Sequence, residues 1–250
     1  MGNFDFRGKT YLVTGASSGL GRTVSEKLAD CGANLLITGR SRERLIETKE
    51  LLTGSGHAVY VKDLMDEDYT DLFDFAKERT GIFDGIIHCA GIAPVLPISA
   101  LTRKRNEECM ASNLFSLIEL VRLFSKKKYR PGKGSVVAVS SVSALYPDKC
   151  QTIYAASKAA MNTAVQGMAL ELVKTGIRIN AVMPGSMDTA MAEKAAGEMG
   201  QENAEKKISK QILGVTPPGD VANVILFLLS DMSAAITGRA IFTDGGYINL

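Results

Sequence analysis

Residues that bind metals or form disulfides are scarce in this sequence of 250 residues. The chain has two histidines and four cysteines, and the cysteines include no CxxC pair. Zinc sites and disulfide frameworks both depend on closely spaced ligands of these kinds. The sequence therefore supports neither, and we expect free thiols in a reducing cytoplasm.

The chain also lacks a strong charge of either sign and a long apolar run. Lys and Arg number 29 against 27 Asp and Glu, a formal charge of +2, which argues against a nucleic-acid-binding surface. We interpret the basic cluster at 126–133 as a solvated helix end and loop, and contact with an acidic carrier protein is the alternative. No window reaches the roughly 18 uncharged apolar residues of a membrane span, and the N-terminus has no apolar signal segment. We expect a soluble, uncleaved protein with no nucleic-acid or membrane partner.

Short apolar runs alternate with amphipathic segments of helix length along the chain. With 46% hydrophobic residues, the chain can bury a full core. The alternation is typical of a parallel sheet covered by helices on both faces. We predict an α/β fold, a single doubly wound Rossmann domain over residues 1–250 with a seven-stranded parallel sheet flanked by helices. The predicted strands are 10–13, 34–38, 58–61, 85–89, 135–140, 178–182 and 240–242.

Residues 186–218 interrupt this alternation. Ala, Glu, Lys and Met recur there at mixed helical spacing, before Gly214 and Pro217-Pro218. We interpret the segment as a mobile substrate lid over a pocket, and an ordinary pair of surface helices is the alternative.

A glycine-rich segment follows the first predicted strand and precedes the first predicted helix. It runs from Thr14 to Gly21 and reads TGASSGLG, with glycines spaced more widely than in GxGxxG. Glycines at such a turn let a pyrophosphate approach the backbone at a helix N-terminus. The alternative is a compact turn without a ligand, so the prediction of dinucleotide binding depends on the strand before the turn and the helix after it.

The sequence resembles the short-chain dehydrogenase/reductase family, whose turn reads TGxxxGxG and is matched by Thr14, Gly15, Gly19 and Gly21. The resemblance covers essentially the whole chain and is to the 3-oxoacyl-acyl-carrier-protein reductase branch. It implies a Rossmann enzyme that transfers a hydride between nicotinamide and a carbonyl or secondary alcohol. The other matching positions are Asp63, Ala90-Gly91, Asn113, Ser141, Tyr154, Lys158, Pro184-Gly185, Thr237-Gly238 and Asp244-Gly245-Gly246.

Four polar residues form the catalytic set that the resemblance implies. Tyr154 and Lys158 are four residues apart and share one helix face, although an exposed pair without function has the same spacing. We expect the ammonium to favour the phenolate, with Tyr154 as the acid/base. The resemblance assigns the hydrogen bond to the substrate oxygen to Ser141, which follows an apolar strand. It also implies that Asn113 distorts its helix and holds a water that supplies protons.

The end of the second strand predicts which nicotinamide cofactor binds. An acidic residue there bonds the ribose hydroxyls of NAD, but this chain has Gly39 and then Arg40, whose guanidinium suits a 2′-phosphate. We predict NADP(H), with NAD(H) as the alternative, because Ser18 stands where many NADP enzymes of the family have a basic residue. Arg22 could compensate. The other cofactor contacts that the resemblance implies are Thr14, Gly15, Ser17, Ser18, Gly19, Leu20, Gly21, Asp63, Leu64, Ala90, Gly91, Tyr154, Lys158, Pro184, Gly185 and Thr189.

One pair of residues departs from the family pattern. The family's Asn-Asn before Ala-Gly reads His88-Cys89 here. We interpret His88 as a structural substitute rather than a catalyst, and Cys89 as a small buried residue.

These residues together predict an NADP(H)-dependent oxidoreductase without a metal site. The predicted substrate is a small-molecule or carrier-bound carbonyl compound, of the 3-oxoacyl-thioester type or another ketone. The resemblance implies a homodimer or homotetramer formed through the helices of Asn113 and Tyr154 and the last strand. The alternative function is a catalytically silent NADP(H)-binding regulatory or structural protein.

Overall fold

The computed structural model describes residues 4–66 and 68–247, so both ends of the predicted domain lie outside the described residues. Seven strands form one sheet in the order β3-β2-β1-β4-β5-β6-β7, and every neighbouring pair is parallel. The predicted fold class is confirmed, and predicted strand ends differ from the observed ones by at most two residues. The strands are β1 (Thr10–Thr14), β2 (Asn34–Gly39), β3 (Ala58–Val61), β4 (Gly85–His88), β5 (Gly134–Val139), β6 (Ile177–Pro184) and β7 (Ala240–Thr243).

Helices connect the strands and cover both faces of the sheet. Helices α4 and α5 are joined by a π-helical turn at Ala111–Phe115. Among the described residues, no helix is both long and apolar enough to cross a bilayer. The helices are α1 (Gly19–Asp30), α2 (Arg42–Glu50), α3 (Thr70–Arg79), α4 (Arg103–Met110), α5 (Ser116–Phe124), α6 (Thr152–Leu172), α7 (Ala190–Met199), α8 (Gln201–Ile208) and α9 (Pro218–Leu229).

The two faces of the sheet carry separate cores because successive strand side chains point in opposite directions. Leu12 of β1 belongs to a core with buried residues of α3, α5 and α6. Its neighbours Tyr11 and Val13 belong to the opposite core, which includes residues of α1, α2 and α9. The helices α1 and α6, which bear predicted site residues, therefore pack on opposite faces of the sheet.

The strand order reverses at β1, which lies between β2 and β4. In open parallel sheets, ligands bind in the crevice at the carboxyl ends of the strands where the order reverses. The glycine-rich segment leaves β1 at this point and leads into α1. The predicted dinucleotide site therefore lies at the switch point of the sheet.

The segment 186–218 contains α7 and α8. The buried side chain of Gln211 connects the start of the segment to the chain after α8. The Gln211 amide oxygen accepts from the Ser186 N–H at 2.5 Å, and its amide nitrogen donates to the Gly214 carbonyl at 2.8 Å. The described side chains of α7 and α8 are half-buried or exposed. Few core contacts hold these two helices, and their opening as a lid stays a prediction.

The basic cluster at 126–133 is only partly solvated. Lys126, Lys127 and Lys128 are exposed, and the Lys128 ammonium lies 4.3 Å from the centre of the Tyr129 ring. Arg130 is buried and donates to main-chain carbonyls, including that of Gly132. The arginine therefore stabilises the turn after α5, whereas the lysines fit the interpretation of a solvated helix end.

Candidate active site

A cavity of about 530 Å³ occupies the crevice at the carboxyl ends of the strands. We call it the larger cavity. Its wall contains sixteen of the seventeen predicted cofactor contacts, together with Ser141. The sixteen are Gly15, Ser17, Ser18, Gly19, Leu20, Gly21, Arg40, Asp63, Leu64, Ala90, Gly91, Tyr154, Lys158, Pro184, Gly185 and Thr189. The structure thus brings together residues that follow six of the seven strands, from Gly15 to Met191.

The glycine-rich turn is closed by glycines that no other residue could replace without movement. Gly15 has a φ of +66°, and a Cβ there would lie 2.7 Å from the Ala90 nitrogen. A Cβ on Gly21 would collide with the Gly15 carbonyl oxygen. With these two positions packed, Gly19 opens α1 on the wall of the larger cavity. The backbone N–H groups at this helix start fit the diphosphate of a dinucleotide.

Thr14, the remaining predicted contact, lies fully buried beneath the turn and is not part of the cavity wall. Its hydroxyl oxygen accepts from the Ala90 N–H at 3.1 Å. Its own proton is then available for the Nδ1 of His88, 3.0 Å away. The threonine joins the ends of β1 and β4.

His88 continues this chain of hydrogen bonds to the π turn. Its Nε2 lies 3.2 Å from the Ser116 hydroxyl, which itself donates to the Ser112 carbonyl at 2.7 Å. Every donor is used once if His88 carries its proton on Nε2. Burial lowers the pKa of His88 to about 3, and the charge of Lys158 acts in the same direction. A neutral, fully buried ring supports the interpretation of His88 as structural.

Asn113 lies in the π turn, so the expected distortion of its helix is observed. Its amide oxygen accepts from the Ile92 N–H at 2.8 Å, and its amide nitrogen donates to the Ile92 carbonyl and the Ser157 hydroxyl. This fully buried side chain connects the loop after β4 to α6. It is not part of the larger cavity's wall. The water that the resemblance implies is not tested by these contacts.

Tyr154 and Lys158 occupy the first two turns of α6, and Ser141 follows β5. A hydrogen bond joins the Tyr154 and Ser141 side chains. Ser141 Oγ also accepts from the Ser143 N–H at 3.1 Å, which fixes its rotamer. The Lys158 ammonium donates to the Val139 carbonyl at 2.7 Å and lies 5.9 Å from the centre of the Tyr154 ring.

The pKa values of this pair differ from the expectation. Burial raises the pKa of Tyr154, and the hydrogen bond from Ser141 opposes that rise. Burial lowers the pKa of Lys158 to about 8. We expected the ammonium to favour the phenolate, but Lys158 is directed at the Val139 carbonyl and burial has the larger effect on Tyr154. The phenol therefore holds its proton at neutral pH in this state of the chain.

A second cavity of about 280 Å³ lies between this site and the segment 186–218. We call it the smaller cavity. Ser141 and Tyr154 are part of the walls of both cavities. A molecule in the smaller cavity can therefore meet these two hydroxyls and the contents of the larger cavity at one place.

The smaller cavity also has wall residues that the sequence analysis did not select. Ser143 donates to the Gln151 amide oxygen at 3.3 Å, and both are buried. Gln151 directly precedes α6 and lies three residues before Tyr154, so its closeness to Tyr154 in the chain was a local signal. Lys207 of α8 has no such local signal, because its partner Asp148 is distant in sequence.

Basic side chains surround the end of β2. Arg40 is exposed and, with Arg44 one turn into α2, forms part of the larger cavity's wall. Ser41 caps α2, as its Oγ accepts from the Arg44 N–H. Arg22 instead donates to the Ser17 carbonyl and the Thr48 hydroxyl. It braces the turn and is outside the cavity wall, so Arg44 is the better second cation.

A protein family described as Enoyl-(Acyl carrier protein) reductase matches residues 15–248. An L-rhamnose 1-dehydrogenase (NAD(P)(+)) from Sphingomonas sp. (strain SKA58) is 35% identical over 97% of this chain and 98% of its own. The 3-oxoacyl-[acyl-carrier-protein] reductase FabG of Thermotoga maritima is 33% identical over 96% of this chain and 98% of its own. The crystal structure of a short-chain dehydrogenase/reductase (glucose/ribitol dehydrogenase) from Brucella melitensis superposes with a TM-score of 0.91, at 26% identity and complete coverage of both chains.

Proposed function

The chain belongs to the short-chain dehydrogenase/reductase family, and from this we propose that it is an NADP(H)-dependent oxidoreductase acting on a ketone or secondary alcohol. The observation that carries the proposal is the shared wall of the two cavities. Tyr154 and Ser141 stand where a cofactor in the larger cavity and a substrate in the smaller one would meet. When bound, the nicotinamide supplies or accepts the hydride.

We assign to Tyr154 the donation of a proton to the substrate oxygen during carbonyl reduction. Its raised pKa keeps the phenol protonated at neutral pH, as reduction of a carbonyl requires. We assign to Ser141 a hydrogen bond to the same substrate oxygen. The Ser143 N–H, which donates to Ser141 Oγ, holds the Ser141 side chain in one rotamer for this contact. A hydrogen bond to that oxygen stabilises the negative charge that develops on it. In the oxidation direction the same phenol, once deprotonated, accepts the proton of the alcohol.

Lys158 and Asn113 stabilise the surroundings of Tyr154 and Ser141. The Lys158 ammonium is positive below its pKa of about 8 and lies beside the phenol, so it stabilises the phenolate that remains after proton donation. Asn113 holds the π turn against Ile92 and α6. We assign to Asn113, with water, the resupply of the proton.

Cofactor selectivity follows from the residues at the end of β2. Gly39 brings no carboxylate to repel a 2′-phosphate, and Arg40 and Arg44 supply two guanidinium groups at the cavity wall. NADP(H) is therefore the preferred cofactor. Asp63 and Leu64 at the same wall suit the adenine end.

We further propose a homodimer or homotetramer in the cytoplasm. Large apolar side chains are exposed on the helices of Asn113 and Tyr154 and on the last strand. They are Phe115, Ile118, Leu170 and Phe242, with Val173 in the turn directly after α6. Exposed apolar groups on these elements favour association with another copy.

The test is oxidation of NADPH with a panel of ketones, followed by absorbance. Activity that disappears in Tyr154→Phe, by about 10²-fold or more, supports the proposal. NADPH binding is titrated in parallel, because this variant keeps the ring and the glycine-rich turn. NADPH binding with no turnover of any ketone would instead favour the silent binding protein. A Tyr154→Phe variant that folds and keeps near-normal turnover would refute the proton assignment.

A further inference from the structure

In the part of the chain that the structure describes, the charged side chains on the wall of the smaller cavity are two exposed carboxylates and one ammonium that is held in an ion pair. Asp188 and Glu193 are exposed carboxylates, and Lys207 is the cation among the described wall residues. The Lys207 ammonium is 2.6 Å from the Asp148 carboxylate, with side chains only 16% and 15% exposed. This nearly buried ion pair connects α8 to the loop that leads into α6.

The ion pair removes the attraction that Lys207 would otherwise exert on an anion. A cation bonded to a carboxylate at this distance presents almost no net charge to a third group. The remaining wall charges, on Asp188 and Glu193, are negative and repel an anionic substrate. The remaining wall residues from the segment 186–218 are largely apolar, with Ala192, Ala195, Ala196 and Ala204 among them.

The side of the cavity nearest to Tyr154 is polar but uncharged. Ser141, Ser143 and Gln151 present hydroxyl and amide groups there. Such groups bind neutral oxygen atoms of a substrate and do not compensate a full negative charge. The wall therefore combines neutral hydrogen-bonding groups with a cation that is already paired.

We propose that the substrate is a small uncharged ketone or alcohol, and that Asp148 determines this selectivity by neutralising Lys207. The inference rests on the proposed function, because it concerns the substrate of that same site. It assigns Asp148 a role in specificity from outside the cavity wall. It also argues against substrates that carry a carboxylate or phosphate next to the reacting carbonyl.

The experiment compares methyl acetoacetate with acetoacetate, which share the reacting ketone and differ in one negative charge. Their kcat/KM ratio is measured with NADPH for the wild type, Asp148→Asn and the double variant Asp148→Asn/Lys207→Gln. The wild type is expected to favour the ester about tenfold or more. Asp148→Asn frees the ammonium and shifts the ratio toward acetoacetate by about tenfold or more. The double variant breaks the same contact without freeing a charge and keeps the ester preference.

The charge-reversed variant Asp148→Lys/Lys207→Asp restores a neutral pair and is expected to restore the ester preference. Binding of both probes to NADPH-saturated Tyr154→Phe, which does not reduce them, is followed by nicotinamide fluorescence with Asp148 intact and with Asp148→Asn added, and the ratio of dissociation constants gives the charge preference without turnover. An Asp148→Asn ratio within twofold of that with Asp148 intact, or equal preference for acetoacetate and the ester with Asp148 intact, would overturn the inference. Absence of turnover with every ketone would overturn the proposed function instead, while the binding ratio still tests the charge selectivity.

Discussion

Replacing Lys158 by methionine is expected to abolish turnover and yet to make the fold more stable at pH 7. Burial lowers the pKa of this lysine from 10.5 to about 8. The folded state therefore disfavours the ammonium by about 3 kcal/mol, at ~1.4 kcal/mol for each pH unit. Methionine removes that cost but leaves the Val139 carbonyl without its donor, a loss of about 1 kcal/mol. The net gain at pH 7 is about 2 kcal/mol.

The sign of the pH dependence distinguishes this effect from better packing. Between pH 8 and 10.5 the unfolded chain binds the proton at Lys158 and the folded chain does not. Wild-type stability therefore gains from rising pH in this window, relative to the variant. By pH 9.5 the wild type recovers about 2 kcal/mol, and the advantage of methionine falls close to zero.

Guanidinium denaturation at pH 7 and pH 9.5 measures the difference, and a gain of about 4–8 °C in Tm at pH 7 is expected in parallel. Lys174→Met, at an exposed lysine after the end of α6, is the matched control and should change little at either pH. A Lys158→Met advantage that is absent at pH 7, or equal at both pH values, would refute the reasoning.

Three other perturbations test the remaining assignments. Arg40→Ala is expected to weaken NADPH binding more than tenfold, because it removes a charge-assisted contact of roughly 1.5–3 kcal/mol, and to leave NADH binding unchanged. Fluorescence titrations of both cofactors measure this, and equal losses would contradict the phosphate contact. The pKa of His88 is about 3 in the folded state against 6.5 in the unfolded state. Lowering the pH from 7 to 5 should therefore lower the wild-type free energy of unfolding by about 2 kcal/mol, because only the unfolded chain gains the proton. The neutral variant His88→Asn should lack this acid loss in denaturant titrations, and an identical slope would exclude a neutral buried ring. Residues 186–218 should exchange amide hydrogens faster than the sheet without NADPH and more slowly with it; equal protection in both states would make the segment structural and not a lid.

The sequence predicted the sheet well because its strands are short, apolar and separated by helices. Alternation of this kind is a local property, and so is the glycine-rich turn after β1. Tyr154 and Lys158 were also accessible, since four residues along one helix bring both to one face. In these cases the contacts depend on residues close together in the chain.

The properties that sequence did not predict depend on partners far apart in the chain. The direction of the Lys158 ammonium is set by the Val139 carbonyl, 19 residues away. Lys207 of α8 pairs with Asp148 of the loop before α6, and no spacing rule connects the two. From the sequence, Arg22 was the residue that could compensate for Ser18. Only its contacts with Ser17 and Thr48 show that Arg44 takes that place at the cavity wall. Side-chain direction at long range is a tertiary property that composition and spacing do not encode.

The strand order has a consequence for how the protein is made on the ribosome. Thr14 at the end of β1 pairs with His88 at the end of β4, 74 residues later. While the nascent chain extends only to β3, one edge of β1 has no partner, and an open apolar edge can pair with other chains. The glycine-rich turn also lacks the Ala90 backbone against which Gly15 packs. We therefore expect chaperone capture and aggregation of truncated chains to be greatest before β4 emerges, and cofactor to bind only to longer chains.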